Sequence, residues 1–307
     1  MAGDIGKGRA VVRRIGIAMA GERGYRWATY RYDRAVAAVA AASWRQHPAT
    51  AASRARLEEL RGAFRGQRCF IIGNGPSLRE TNLQLLAGEL TIGSNALFLN
   101  YHRMRFEPTF LTVEDILVAQ DRAAALNDRS GSIKVIPWDL RRWLLPAQDT
   151  VYVYFDRRTR PPFPFSADLR SCAYWGGTVT YLNMQLAFHL RCDPIILVGV
   201  DHSYVLPAET PSADHDFVIR SASRDPNHFD PDYFGPGYRW HNPKVARMEQ
   251  AYESARSFAA QRGFRILNAT IGGMLEVFPR VEFGSLFPVE SAPAPMDDSA
   301  DRTCADE

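Results

Sequence analysis

Cysteine is scarce: four in 307 residues, at Cys69, Cys172, Cys192 and Cys304, with no Cys-x-x-Cys pair. That leaves no disulfide framework and points to a reducing compartment. No apolar run approaches the roughly 20 residues of a membrane-spanning helix. Ile15–Ala20 is too short for a signal-peptide core, and the flank Gly21-Glu22-Arg23 is a poor cleavage site, so a cytoplasmic location is expected. Net charge is also small, +3, which gives no bulk argument for a nucleic-acid partner. Its distribution is uneven. Residues 1–68 hold fourteen Lys/Arg against five Asp/Glu. A basic arm of this kind either is a solvated helix or makes peripheral contact with an acidic lipid surface, such as the inner membrane, or with a partner. The histidines at 189, 202, 215, 228 and 241 recur every thirteen residues, which matches no metal-ligand spacing.

What is present is a globular composition, 46% hydrophobic and 23% charged, long enough for one large α/β domain with appendages. Residues 1–67 read as a helical, Ala/Arg-rich arm, with helices over Asp33–Trp44 and Ala51–Phe64. Strands are expected at Cys69–Ile72, Leu90–Gly93, Thr109–Val113, Ile133–Pro137, Val151–Phe155, Ile195–Val200 and Phe264–Asn268. Helices are expected from Pro76 to Ala87, over Gly177–Leu190 with Val179, Leu182, Leu186 and Leu190 on one stripe, and over Pro243–Arg262. Strand–helix alternation implies a Rossmann-like, doubly wound, mostly parallel sheet over residues 68–287. Ligands bind such sheets at the carboxyl ends of the strands. Residues 202–240, rich in Pro, Asp, His and aromatics, read as a lid, and 288–307 as a disordered acidic tail.

Gly73-Asn74-Gly75-Pro76-Ser77 follows the first strand and reads as a phosphate-binding turn. Gly73 lets the chain turn, Gly75 lets backbone approach a ligand, and Pro76 suits a first helical turn whose free N–H groups attract an anion. Two commoner loops are excluded: Gly-Lys-Ser/Thr is absent, and Leu78 stands where a dinucleotide loop needs its third glycine. The place of the ribose-binding acid holds neutral Asn95. Asp115 and Asp201 sit at strand ends, where each either lines the site or caps the following turn. Phe229, Tyr233, Phe234, Tyr238 and Trp240 either stack on a base or sugar or pack the lid onto the domain.

The segments Phe70–Leu78, Ser94–Phe98, Gly176–Asp201 and His241–Ala255 occur in the order found in bacterial α-2,3-sialyltransferases, and the chain also resembles the MptE-like domain. That group, formerly a domain of unknown function, includes an archaeal pterin diphosphokinase and many bacterial proteins near surface-polysaccharide genes. The resemblance implies a nucleotide-activated donor held by Asn74 and Asn95, with its phosphate side at Gly176 and Gly177 beside Thr178. It places a general-base histidine at His241. Where the sialyltransferases have a second donor-binding asparagine, this chain has Glu114, next to Asp115. The tyrosine that holds the leaving phosphate falls to Tyr204, or to Tyr233 or Tyr238.

The expected function is therefore that of a transferase, first a nucleotide-sugar glycosyltransferase serving surface-polysaccharide or glycan assembly. It would use no metal, and its acceptor would be a glycan or small molecule. Gly73, Asn74, Gly75, Ser77, Asn95, Gly176, Gly177, Thr178 and Asp201 would bind the donor, with His241 and Tyr204 catalytic. The alternative is an MptE-like diphosphotransferase using a nucleotide triphosphate and Mg²⁺, with Glu114 and Asp115, joined by Asp201, as metal ligands. A non-catalytic nucleotide-binding module is the third reading. Oligomeric state, including a homo-oligomer, is left open.

Overall fold

The computed structural model describes residues 2–206, 218–221 and 223–288. The expected tail, with Cys304, and part of the expected lid lie outside the described residues. Helix α1 (Ala2–Gln46), broken at Gly21, leads to α2 (Ala51–Leu60) and the first strand, β1 (Cys69–Ile72). Then come β2 (Leu90–Ser94), α3 (Tyr101–Met104), β3 (Phe110–Thr112), α4 (Ile116–Asp121), α5 (Ala123–Asn127), β4 (Ile133–Pro137) and β5 (Thr150–Val153). Short β6 (Phe155–Asp156) and β7 (Ala173–Tyr174) pair with each other before α6 (Val179–Leu190) and β8 (Ile195–Val198). The hairpin of β9 (Val218–Arg220) and β10 (Arg239–His241) precedes α7 (Val245–Ala260) and β11 (Ile266–Asn268).

Seven strands form one parallel sheet in the order β11-β8-β1-β2-β3-β4-β5. The expected α/β, Rossmann-like architecture is therefore observed. The central strands β1 and β8 are short apolar runs whose residues are buried on both faces, as parallel sheets covered by helices require. The order reverses at β1: the chain runs one way from β1 to β5, then returns to β8 on β1's other side. The crevice at the carboxyl ends of β1 and β8 is the topological switch point.

Two expectations are corrected. The helix expected from Pro76 to Ala87 is two separate 3₁₀ turns, Pro76–Arg79 and Leu83–Leu86. Thr81 and Asn82 interrupt it, and both bond locally: Thr81 donates to the Ser77 carbonyl (2.9 Å), and the Asn82 carbonyl accepts from Leu85. Helix α6 is not an amphipathic stripe, because every residue from Thr180 to Leu190 is buried. Its polar residues Gln185 and His189 are bonded inside. The Gln185 amide bonds the backbone of Ser166, Tyr174 and Tyr181. The His189 ring accepts from Leu169 N–H at Nδ1 (3.3 Å) and meets the Leu57 carbonyl at Nε2 (2.8 Å). His189 thus ties the central helix to α2, and Trp44, Leu57 and Leu60 join the core there.

Candidate functional site

A cavity of about 410 Å³ opens at the switch point. Its walls bring together Gly73, Asn74, Gly75, Asn95, Glu114, Asp115, Gly177, Thr178, Asp201, Tyr204 and His241. Gly176 lies just behind, where a Cβ would overlap the Tyr181 ring. Ser77 is buried and bonded to Asp201 rather than lining the cavity.

The turn after β1 differs from its expected role. Gly73 N–H donates to Val198 O (2.8 Å) and Gly75 N–H to Gly199 O (2.9 Å). Ser77 N–H and Oγ donate to the Asp201 carboxylate at 3.1 and 2.7 Å. Leu78 N–H closes onto the Gly75 carbonyl. The N–H groups expected to face an anion are thus used to interlock the loops after β1 and β8. The glycines serve that close approach: a Cβ at Gly75 would overlap the Asp201 carboxylate, and one at Gly73 the Gly199 carbonyl. Burial raises the Asp201 carboxyl above its ordinary range, against the opposing pull of its Ser77 bonds.

The helix N-terminus that does face the cavity belongs to α6. Thr178 caps it, accepting from Thr180 N–H (3.3 Å), and Gly177 before it holds a φ of 91°. Arg247, from the first turn of α7, packs on Gly177. Its guanidinium lies 4.2 Å over Trp175 and 4.5 Å over Phe163 and donates to Thr159, so a fixed cation stands beside the helix dipole's positive end.

His241 ends β10, and its Nδ1 meets Asp115 Oδ2 at 3.0 Å. Asp115 caps α4 through Oδ1, which accepts from Leu117 and Val118 N–H. Arg239, two residues before His241, is clamped to Asp121 and Gln120 of α4. One short helix therefore positions both members of the pair. Burial alone would raise the Asp115 carboxyl; the bond and charge of His241 and the two N–H groups outweigh it and hold it below its ordinary range. Behind them Glu114 is buried, bonded to Arg157 at 3.2 Å, and burial pushes it up to about 7 despite that guanidinium. Arg157 also reaches Asp139 (2.6 Å).

Asn74 donates to Ser94 Oγ (3.1 Å), while its Oδ1 and that of Asn95, buried at the ends of β1 and β2, have no hydrogen-bond partner among the described residues. Asn95 takes the left-handed region at φ 54°. Tyr204 Oη contacts Met248 Sδ (3.7 Å), and burial raises its hydroxyl well above the ordinary range. Phe229, Tyr233, Phe234 and Trp240 are buried and pack on one another, and Tyr233, Phe234 and Trp240 also line the cavity. Glu114, Asp115 and Asp201 do not form a ready Mg²⁺ set. Both oxygens of Asp115 and of Asp201 are engaged as described, Glu114 Oε1 is held by Arg157, and β8 lies three strand positions from β3, about 14 Å at ~4.8 Å per strand. Among the described residues no group of three or more His, Cys, Asp or Glu is gathered to hold a metal.

Sequence reasoning missed Arg157, Arg247 and the Asp225–His228 pair. Arg247 left one trace: it follows His241 and Lys244 across Asn242-Pro243, a cluster of cationic and proton-accepting residues at a helix start.

No helix among the described residues is long and apolar enough to cross a membrane. No curated protein sequence matches the chain. Among solved structures, the chain is similar to that described as the structure of MAf glycosyltransferase from Magnetospirillum magneticum AMB-1, with 16% identity and a TM-score of 0.44. That likeness covers 78% of this chain and 39% of the other protein's length. The pattern described as 6-hydroxymethylpterin diphosphokinase MptE-like matches residues 46–206, more than half of the chain, and so the chain belongs to the MptE-like family.

Proposed function

We propose that the chain is a transferase acting on a nucleotide-activated donor, and that it transfers a glycosyl group to a hydroxyl acceptor in glycan or surface-polysaccharide assembly. The observation that carries this reading is the His241–Asp115 pair, set in a crevice that also holds the start of α6 beside Arg247. With Nδ1 bonded to Asp115, proton transfer from the acceptor hydroxyl falls to His241 Nε2. The acceptor oxygen then attacks the donor's anomeric carbon as the bond to the nucleotide phosphate breaks, with inversion. Gly177, Thr178 and Arg247 stabilise the charge that develops on that phosphate. Asn74 and Asn95, whose buried acceptor atoms have no partner among the described residues, hold the nucleoside end. Tyr204, kept protonated by its burial, donates toward the leaving group. The basic α1 would rest peripherally on an anionic membrane face.

Family membership favours a second reading, diphosphotransfer from ATP to a hydroxymethyl acceptor with Mg²⁺. Heat-shift titration with CMP, UDP and ATP, each with and without Mg²⁺, separates the two. A nucleotide present at about 100 times its dissociation constant adds roughly 2.7 kcal/mol of stability. Stabilisation by a pyrimidine nucleotide without metal is the expected result. Stabilisation by ATP only with Mg²⁺ would favour diphosphotransfer, and no effect of any nucleotide would overturn both.

A further inference from the structure

The cavity holds a second histidine–carboxylate pair that the mechanism above does not use. His228 Nδ1 meets Asp225 Oδ2 at 2.7 Å. Asp225 is itself fixed, accepting from Asn227 N–H (2.8 Å) and Phe234 N–H (3.1 Å). The His228 ring lies flat on Tyr233, with centroids 4.1 Å apart and planes 2° from parallel, and Phe234 meets it edge-on. The ring therefore has one orientation. Its Nε2 has no hydrogen-bond partner among the described residues, and the ring lines the same cavity as His241.

The two pairs hang from different strand ends. Phe229 N–H, next to His228, donates to the Asn74 carbonyl at the end of β1 (3.0 Å), and Tyr233 Oη accepts from Ala96 N–H just after β2. His241 is held through Asp115 at the end of β3. Their anchors are one and two strand positions apart, about 5 to 10 Å at ~4.8 Å per strand. That span accommodates the reacting centre of a donor between them.

We infer that His228, oriented by Asp225 and Tyr233, is the catalytic proton donor to the departing nucleotide phosphate, complementing His241 on the acceptor side. This rests on the nucleotide-donor reading above. The acceptor O–H gives its proton to His241 Nε2 as the new bond to the donor carbon forms. The bond from that carbon to the phosphate oxygen breaks, the electron pair stays on the oxygen, and the oxygen takes the proton of His228 Nε2. One proton gained at His241 and one lost at His228 balance, and solvent resets both. The charged groups facing His228 are Asp225 on its own loop, Asp201 after β8, and Arg79 after β1, which donates to the His228 carbonyl.

The test is a titration of the full chain, ¹⁵N-labelled at histidine and at backbone amides, with CMP, UDP and ADP, and with the His228 resonance assigned from His228→Gln. The Gly177 and Asn95 amides report occupancy. Bound nucleotide is expected to shift the His228 Nε2 resonance, because Nε2 then donates a hydrogen bond to the phosphate. His228→Gln is expected to weaken nucleotide binding about tenfold, the loss of one charge-assisted hydrogen bond to the phosphate. A mere loop staple would show neither effect. Nucleotide that moves the Gly177 and Asn95 reporters and leaves His228 unmoved overturns the inference alone. Nucleotide that moves no reporter overturns it together with the reading it rests on.

Discussion

Glu114→Gln is expected to stabilise the protein at alkaline pH and hardly at all in acid. Glu114 is 6% exposed, and its carboxyl sits at about 7 in the fold against an ordinary 4.5. Burial is the main cause, and the Arg157 guanidinium at 3.2 Å offsets only part of it. The sign follows from which state binds the proton. Between about 4.5 and about 7 the folded chain keeps a proton that the unfolded chain has lost, so stability falls as pH rises through that window. At about 1.4 kcal/mol per pH unit the loss is roughly 3 kcal/mol by about pH 8, and less than about 1 kcal/mol at about pH 5. A neutral amide of the same shape removes the titration. Urea unfolding of wild type and Glu114→Gln, followed by tryptophan fluorescence at intervals across that range, reads the difference directly. The variant should gain on wild type by roughly 2–3 kcal/mol from acid to alkaline pH. Parallel stability curves for the two proteins would refute the reasoning, and so would a variant that is less stable at every pH by the same amount.

Asp115→Asn is expected to lower kcat by about 10²–10⁴-fold, with the KM for donor little changed, because it frees His241 from its orienting carboxylate; steady-state kinetics on the identified donor checks it. Gly75→Ala should cost more than about 2 kcal/mol, since the new methyl overlaps the Asp201 carboxylate and drives apart the interlocked loops; thermal unfolding would show it as a drop in Tm. His189→Leu should cost about 2–4 kcal/mol, as it strips the bonds that α6 makes to Leu57 and Leu169 and leaves the Leu57 carbonyl and Leu169 N–H without that partner. A denaturant midpoint unchanged from wild type would contradict that latch. His241→Ala turning over donor at near wild-type rate would remove the general-base assignment.

The sheet was legible because its strands are short and mostly apolar, with β1 and β8 continuous apolar runs, and buried parallel strands carry that signature whatever surrounds them. Helix α6 was legible as a helix but not as to its faces. The stripe of Val179, Leu182, Leu186 and Leu190 implied one apolar face, yet Asn183, Gln185 and His189 outside it are buried too; Gln185 and His189 are bonded to distant backbone, and Asn183 Oδ1 accepts from Thr112 Oγ1 (2.5 Å). The Gly73–Ser77 turn shows the same limit. Its glycines do mark a close approach, but what approaches is the Asp201 carboxylate 124 positions on, and that partner leaves no local mark. Asp115 and His241 were each legible as candidates from their places at a strand end and a helix start. Their pairing, 126 positions apart, depends on the β10 hairpin docking on α4 through Arg239. The Asp225–His228 pair lay in a segment whose composition reads as a lid without marking any pairing within it, and its meaning rests on the flat contact with Tyr233.

The central claim is that the crevice between β1, β8 and the start of α6 holds the phosphate of a nucleotide-activated donor. A crystal of the full chain soaked with CMP, UDP or ATP tests it most directly. The account predicts a nucleotide in this cavity with its phosphate against Gly177, Thr178 and Arg247, and its nucleoside toward Asn74 and Asn95. A phosphate seated elsewhere, or a crevice that stays free of every nucleotide at concentrations well above those of cells, would contradict it.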